Sequence, residues 1–277
     1  LTPRATGELA FPSTIEEETP ELESSIDFSA PEESAPVRDG ADTEAPFPGP
    51  SARPPRAKGP IIAAACIALA VVLALGVLSG AVAVPILCRT FYYAQIGPLG
   101  LEEYTGLNEQ VIREAYDDVL DYCTGKTDTF SAGLLPFSES GESHFTDVRG
   151  LFLLDLRVLA VSLGALVVLL LFARWRRLRP RRFLGRGPGF WGAAGLGGAF
   201  LIIGGLAALD FDRAFVVFHT LFFPGKDNWI FDDPVILILP QDFFRNCAIL
   251  VLLLLLVWCG ALIVLDVITG RRSSHRK

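Results

Sequence analysis

The stretch NCAILVLLLLLVWCGALIVLDVI, residues 246–268, holds a single charged side chain, Asp266. The hydrocarbon of a bilayer is about 30 Å thick and takes roughly 20 apolar helical residues to cross, so this stretch reads as a membrane span. Working outward, three further runs meet the same test: 60–87 (PIIAAACIALAVVLALGVLSGAVAVPIL), 150–173 (GLFLLDLRVLAVSLGALVVLLLFA) and 189–209 (GFWGAAGLGGAFLIIGGLAAL). A backbone surrounded by lipid must satisfy its own hydrogen bonds, which makes runs of this length helices. The expected fold is an all-α membrane protein with four transmembrane helices and two structured extracellular loops, 88–149 and 210–245. Small residues in the third span, such as Ala194/Gly198 and Gly195/Ala199, recur at four-residue spacing and allow close helix approach, so that span is expected at the centre of the bundle.

Charge orients the chain, because basic span ends stay in the cytoplasm. Arg53, Arg56 and Lys58 precede the first span, seven arginines and no acid lie in RWRRLRPRRFLGR (174–186), and Arg271, Arg272, Arg276 and Lys277 follow the fourth. The loop 88–149 instead carries eleven acidic residues against Arg89, Arg113, Lys126 and Arg149. Both termini are therefore expected inside, with the two loops outside. Residues 1–50 hold twelve acids, two arginines and eight prolines. Such a segment has too little apolar surface to offset the entropy of ordering, and 1–58 reads as a disordered acidic cytoplasmic tail. The first apolar run begins only beyond it, a pattern unlike a cleavable secretory signal. The membrane domain is then 59–270 and the basic tail 271–277.

In the first outer loop, NEQVIREAYDDVLDYCTG (108–125) has the recurrence of one helical stripe. Asn108 suits an N-cap and Gly125 a stop, with Glu109, Asp117, Asp118 and Asp121 largely toward water. In the second, DFDRAFVVFHTLFF is expected to continue the third helix outward until Pro224 and Gly225 end it. The apolar run inside NWIFDDPVILILPQDFF (228–244) is too short to span, and reads as a segment at the outer interface anchored by Trp229.

Three histidines occur in the chain. His275 belongs to the basic tail. His144 and His219 stand at the mouths of different spans, and each has an aspartate within helical reach, Asp147 and Asp212, able to hold an imidazole in one tautomer. Two histidines are too few for a metal site, and no acid motif completes one. No GxSxG marks a nucleophile elbow. General acid/base chemistry needs only the pair, and an apolar floor beside it suits a lipidic substrate. Topology alone leaves an alternative, a non-enzymatic four-span scaffold or transporter accessory protein, although no ionisable residue marks a midplane path.

The helix ending VLDYCTG, the run SE…SHFTDVRGLF (138–152), FHTLFF (218–223) and W-I-F-D followed by DPVILILPQDFF (229–244) occur in this order between four spans. In these elements the chain resembles the lipoprotein intramolecular transacylases of Gram-positive bacteria, over about 60–270. It departs from that pattern at Gly225-Lys226-Asp227. The resemblance implies an acyltransferase of the bacterial plasma membrane, with its active site on the extracellular side, that moves the sn-2 acyl chain of a diacylglyceryl-cysteine lipoprotein to the cysteine's own α-amine, giving a lyso-form lipoprotein. It implies His144 and His219 as the central pair, with Asp147, Arg149, Phe218, Trp229 and Asp232 orienting them or the substrate. Either histidine can be the base and the other the oxyanion partner. The expected partners are diacylated lipoproteins as substrate and membrane lipids, with no nucleic acid, cofactor or metal.

Overall fold

The computed structural model describes residues 59–178, 181–230 and 233–274. The expectations for 1–58, Asp232 and His275 lie outside the described residues. Among those described, the elements are α1 (Gly59–Leu87), α2 (Arg89–Ile96), α3 (Leu101–Thr105), α4 (Glu109–Cys123), α5 (Glu139–Trp175), α6 (Pro188–Leu209), α7 (Phe211–Phe222), α8 (Pro234–Leu237) and α9 (Gln241–Ser274). Four of them, α1, α5, α6 and α9, are long and apolar enough to cross a membrane. The loops 88–149 and 210–245 pack together at one end of these helices, and at the other the Arg181 amide donates to Cys66 and Arg182 pairs with Asp266.

Helix α1 is the hub, packing against α5, α6 and α9, while α6 packs against α1 and α9, which also touch each other. This corrects the central position expected for the third span. Its glycines do permit close approach, but at other positions. A Cβ on Gly192 would stand 2.9 Å from the Ala70 carbonyl oxygen and one on Gly204 would stand 2.6 Å from Leu252, whereas Gly195 and Gly198 face open space. Few apolar side chains of the spans are buried, as expected of helices whose solvent is lipid.

The densest packing lies outside the spans instead. Tyr92, Ile96, Leu101, Ile112, Val235 and Ile238 are almost wholly buried and belong to one cluster that joins α2, α3, α4 and α8 to the tops of α5 and α9. Tyr92 stacks on Tyr116 with ring centroids 3.7 Å apart, and its hydroxyl donates to the Ile238 carbonyl at 2.7 Å. The segment after Trp229 thus folds inward. Its helix α8 plugs this core with Val235 and Ile238 at 0 % exposure, rather than lying along the interface.

Helix α4 forms as its periodicity predicts, with the Asn108 side chain accepting from the Val111 amide at 3.0 Å. Its carboxylates, expected in water, hold neighbouring segments. Asp117 pairs with Arg89 at 2.9 Å and accepts from the Tyr93 hydroxyl, Asp121 binds Arg89 and Lys126, and Asp118 accepts from Ser131 and the Gly133 amide. The amphipathic stripe shows which side of α4 is apolar, yet it does not distinguish a solvated acid from one bonded to a distant loop.

Two local features place the functional residues. At 37 residues and 1.5 Å per residue, α5 is about 55 Å long against about 30 Å of hydrocarbon. Its first turns therefore stand clear of the span, 150–173. Helix α6 does not run on into α7. Asp210, at φ −155° and ψ 89°, interrupts it, and the Asp210 side chain caps α7 by accepting from the Arg213 amide at 3.0 Å. Helix α7 therefore starts as a separate helix with its own N-cap.

Candidate active site

The projecting start of α5 is fixed at its first residue. The Ser138 side chain accepts from the Gly141 amide, and its amide and hydroxyl both donate to Asp233 at 2.9 and 2.8 Å. One carboxylate just before α8 thereby ties the second loop to the helix that carries His144. On the other side, α7 carries His219 and ends at Phe223. Gly225, at φ +73°, then turns the chain with a backbone conformation that glycine adopts without the strain a side chain would bring.

These two approaches bring His144 and His219 together. Their ring centroids are 5.8 Å apart with planes inclined at 29°, and the residues are 8 % and 7 % exposed. Phe223 packs edge-on to His144 at 5.1 Å, and Phe215 and Trp229 lie 4.3 and 4.7 Å from the His219 ring. Trp229 thus packs directly against the His219 ring. Phe218, half-exposed, touches His219 edge-on at 5.5 Å and Phe222 at 4.6 Å.

Burial governs the titration of the pair, since an imidazolium loses hydration in an apolar box. It pushes His144 down to about 4, helped by the neighbouring His219 and opposed by Asp147. It also lowers His219, against the opposing hydrogen bond to Phe215. That bond joins His219 Nδ1 to the Phe215 carbonyl oxygen at 2.8 Å. A carbonyl can only accept, so Nδ1 carries the hydrogen and Nε2 keeps its lone pair. The orienting group for His219 is thus a backbone carbonyl one turn earlier, and not Asp212, which accepts from Gln241 at 2.8 Å.

Asp147 lies beside His144 at a three-residue spacing, but both of its oxygens are engaged from the opposite loop. Lys226 Nζ binds Oδ1, and Asn228 Nδ2 donates to Oδ2 at 2.9 Å and to the Ser143 hydroxyl at 3.2 Å. Burial alone would raise this carboxyl, yet the bonds from Lys226 and Asn228 outweigh it and hold it below the usual range. Arg149 is not brought to the imidazoles. It donates to the Thr127 carbonyl and to Asp128 and lies over the Tyr122 ring at 4.7 Å, bracing the loop that precedes α5. Sequence reasoning missed the parts played by Phe215, Lys226 and Asn228. Only the four-residue step from Phe215 to His219 offered a signal, since a histidine can reach back to the carbonyl one turn earlier, whereas Lys226 and Asn228 meet Asp147 through tertiary folding alone.

Chemically, the site offers an imidazole whose Nδ1 is tied to a backbone carbonyl, a second buried imidazole beside it, and aromatic side chains packed against both rings. Among the described residues no group of three or more His, Cys, Asp or Glu side chains is placed to hold a metal ion. The same fold occurs in the membrane-integral lipoprotein intramolecular transacylase Lit of Bacillus cereus, which is 22 % identical, with 79 % of this chain and 100 % of that chain covered and a TM-score of 0.69. Two variants of that protein, with a histidine replaced by arginine or by alanine, match with TM-scores of 0.66 and 0.63 at 20 % and 22 % identity. They cover 79 % and 78 % of this chain and 96 % and 97 % of theirs. No curated protein matches the sequence. Residues 67–244 match the family described as lipoprotein intramolecular transacylase Lit. Four membrane-crossing helices, a buried histidine pair at one end and this match over most of the chain lead to one conclusion: the protein belongs to the lipoprotein intramolecular transacylase Lit family of membrane acyltransferases.

Proposed function

We propose that the protein moves the sn-2 acyl chain of a diacylglyceryl-cysteine lipoprotein to the cysteine α-amine, using His219 as base and His144 as oxyanion partner, on the extracellular side of the membrane. The observation that carries this reading is the hydrogen bond from His219 Nδ1 to the Phe215 carbonyl, 2.8 Å long, beside a second buried imidazole. A neutral imidazole so tied has one basic nitrogen in a fixed direction.

In this reading Nε2 of His219 takes a proton from the α-amine as its nitrogen attacks the sn-2 ester carbonyl carbon. Negative charge develops on the carbonyl oxygen, where an N–H of His144 donates. When the tetrahedral intermediate collapses, the carbon–oxygen bond to the glyceryl group breaks. Protonated His219 returns its proton to that oxygen, leaving an amide and a free sn-2 hydroxyl. Nucleophile and ester belong to one molecule, so positioning replaces a covalent enzyme intermediate, and effective molarity is worth about 7–11 kcal/mol. No serine or cysteine nucleophile is required.

Asp147 orients the loop opposite His144, Trp229 and Phe218 shape the acyl side, and Arg149 supports the helix start. Asp232 is kept as a positioning residue on the family resemblance. Residues 59–270 form the catalytic unit, and diacylated lipoproteins and membrane lipids are its partners. The test is mass spectrometry of a diacylated lipoprotein co-expressed with each variant. His144→Ala and His219→Ala should leave it unchanged at normal membrane levels of the protein, and continued lyso-form production by either variant contradicts the assignment.

A further inference from the structure

At the end of the bundle opposite the histidines, α5 finishes on two successive arginines. The Arg177 amide donates to the Arg174 carbonyl at 3.2 Å and the Leu178 amide to the Ala173 carbonyl at 2.8 Å, the paired bonds that close a helix through a residue in the left-handed region. Arg177 is that residue, at φ +50°, in a place that glycine takes in most helices because a side chain is strained there. The reversal folds Leu178 back toward α5. With Phe172, Arg176 and Ile61 from the first turn of α1, it lines a cavity of 350 Å³, a size at which pockets hold ligands. The walls are apolar except for Arg176, whose guanidinium lies 5.6 Å over the exposed Trp175 ring. Charge at this end has one sign. Seven arginines and no acid lie in 174–186. Among the described residues the one carboxylate nearby, Asp266, is taken by Arg182 at 3.3 Å and by the Gly187 amide at 3.0 Å, and Arg176 has no ion pair.

We propose that this cavity is a binding site for an anionic phospholipid, with its phosphate held by the Arg176 guanidinium and one acyl chain laid along Ile61, Phe172 and Leu178. A guanidinium presents paired N–H donors that match two phosphate oxygens. Basic pockets between membrane helices hold phospholipid headgroups in this way, and Arg176 stands just beyond the apolar run 150–173, where a headgroup meets the hydrocarbon. An acidic peptide would answer the charge and leave the apolar wall uncovered. A lipid answers both, whereas free phosphate shares the headgroup chemistry and lacks the chain.

The test is native mass spectrometry of the purified full-length protein, delipidated in detergent and titrated with phosphatidylglycerol, with phosphatidylcholine or with glycerol phosphate. The protein should retain one phosphatidylglycerol about tenfold more tightly than phosphatidylcholine, the effect of one hydrogen bond to a charged group. Glycerol phosphate, which has no chain, should bind at least tenfold more weakly than phosphatidylglycerol. Arg176→Gln should remove the preference between the two lipids, and Ile61→Trp, which fills the cavity, should remove the tight phosphatidylglycerol state. Arg186→Gln takes the same charge from the loop at a side chain that lies over Phe190 at 4.9 Å and does not line the cavity, and it should bind as the wild type does. Equal affinity of the wild type for the two lipids would overturn the proposal. So would an equal loss in Arg176→Gln and Arg186→Gln, which would mean attraction to the whole basic loop, or glycerol phosphate binding as tightly as the lipid.

Discussion

Nδ1 of His219 is committed to the Phe215 carbonyl at 2.8 Å, and that commitment leaves Nε2 as the only nitrogen of the ring able to accept a proton. His219→Asn keeps a short polar side chain but removes the base. It should lower the transfer rate by about 10²-fold or more, measured by lipopeptide turnover, while thermal unfolding in detergent shows a folded protein. The depressed basicity of both imidazoles also has a stability consequence. Between the ordinary value of 6.5 and the folded value of about 4, the unfolded chain binds a proton at His144 that the folded protein refuses. Stability must therefore fall as pH is lowered through that window, by on the order of 3 kcal/mol at its acid end. Melting temperature should drop between pH 7 and pH 4.5, and His144→Phe, which has no proton to take up, should flatten the slope. A slope unchanged in His144→Phe would mean that other groups control the acid response.

Helix α5 shows how far a single element can be read from sequence. Its apolar run gave the span, and the polar approach FSESGESHF placed a histidine just above it. The 37-residue length of the helix needed no further signal once Ser138 capped it. Helices α7 and α8 were harder, because an aspartate that breaks a helix and one that continues it look alike in sequence, and a four-residue apolar helix can lie in an interface or in a core. Packing decided both. The bond from the Tyr92 hydroxyl to the Ile238 carbonyl, deep in the core between α2 and α8, is the clearest test of that packing. Tyr92→Phe leaves a buried carbonyl without this donor and should cost about 1–3 kcal/mol, read as a lower melting temperature, with transfer by the remaining folded protein retained. At the membrane level, Gly192→Val places a Cβ against the Ala70 carbonyl and forces α1 and α6 apart. Overpacking of this kind costs about 1–3 kcal/mol, and the same melting assay should show it, whereas Gly198→Val, with open space around it, should melt like the wild type.

Across the molecule, the four spans place two structured loops over one end of the bundle, and the packing of those loops brings the imidazoles together. The bundle was legible because hydrocarbon thickness fixes the length of every span. The site was legible only as two histidines at span mouths, since the groups that tune them, a backbone carbonyl and a lysine–aspartate pair reaching between loops, are set by tertiary contact. Removal of residues 1–58 should leave lipopeptide turnover unchanged if 59–270 is the catalytic unit, and a loss of turnover at equal membrane abundance would place part of the machinery in the tail. The central claim is that the chain moves within one substrate molecule, from the sn-2 oxygen to its own α-amine. Its most direct measurement mixes a lipopeptide carrying an isotopically heavy sn-2 acyl chain and a heavy peptide with its fully light counterpart, and follows the products by mass spectrometry. The account predicts heavy acyl amide only on heavy peptide, light only on light, and neither with His219→Ala. Crossed products, or a heavy label left on the glyceryl group, would contradict it.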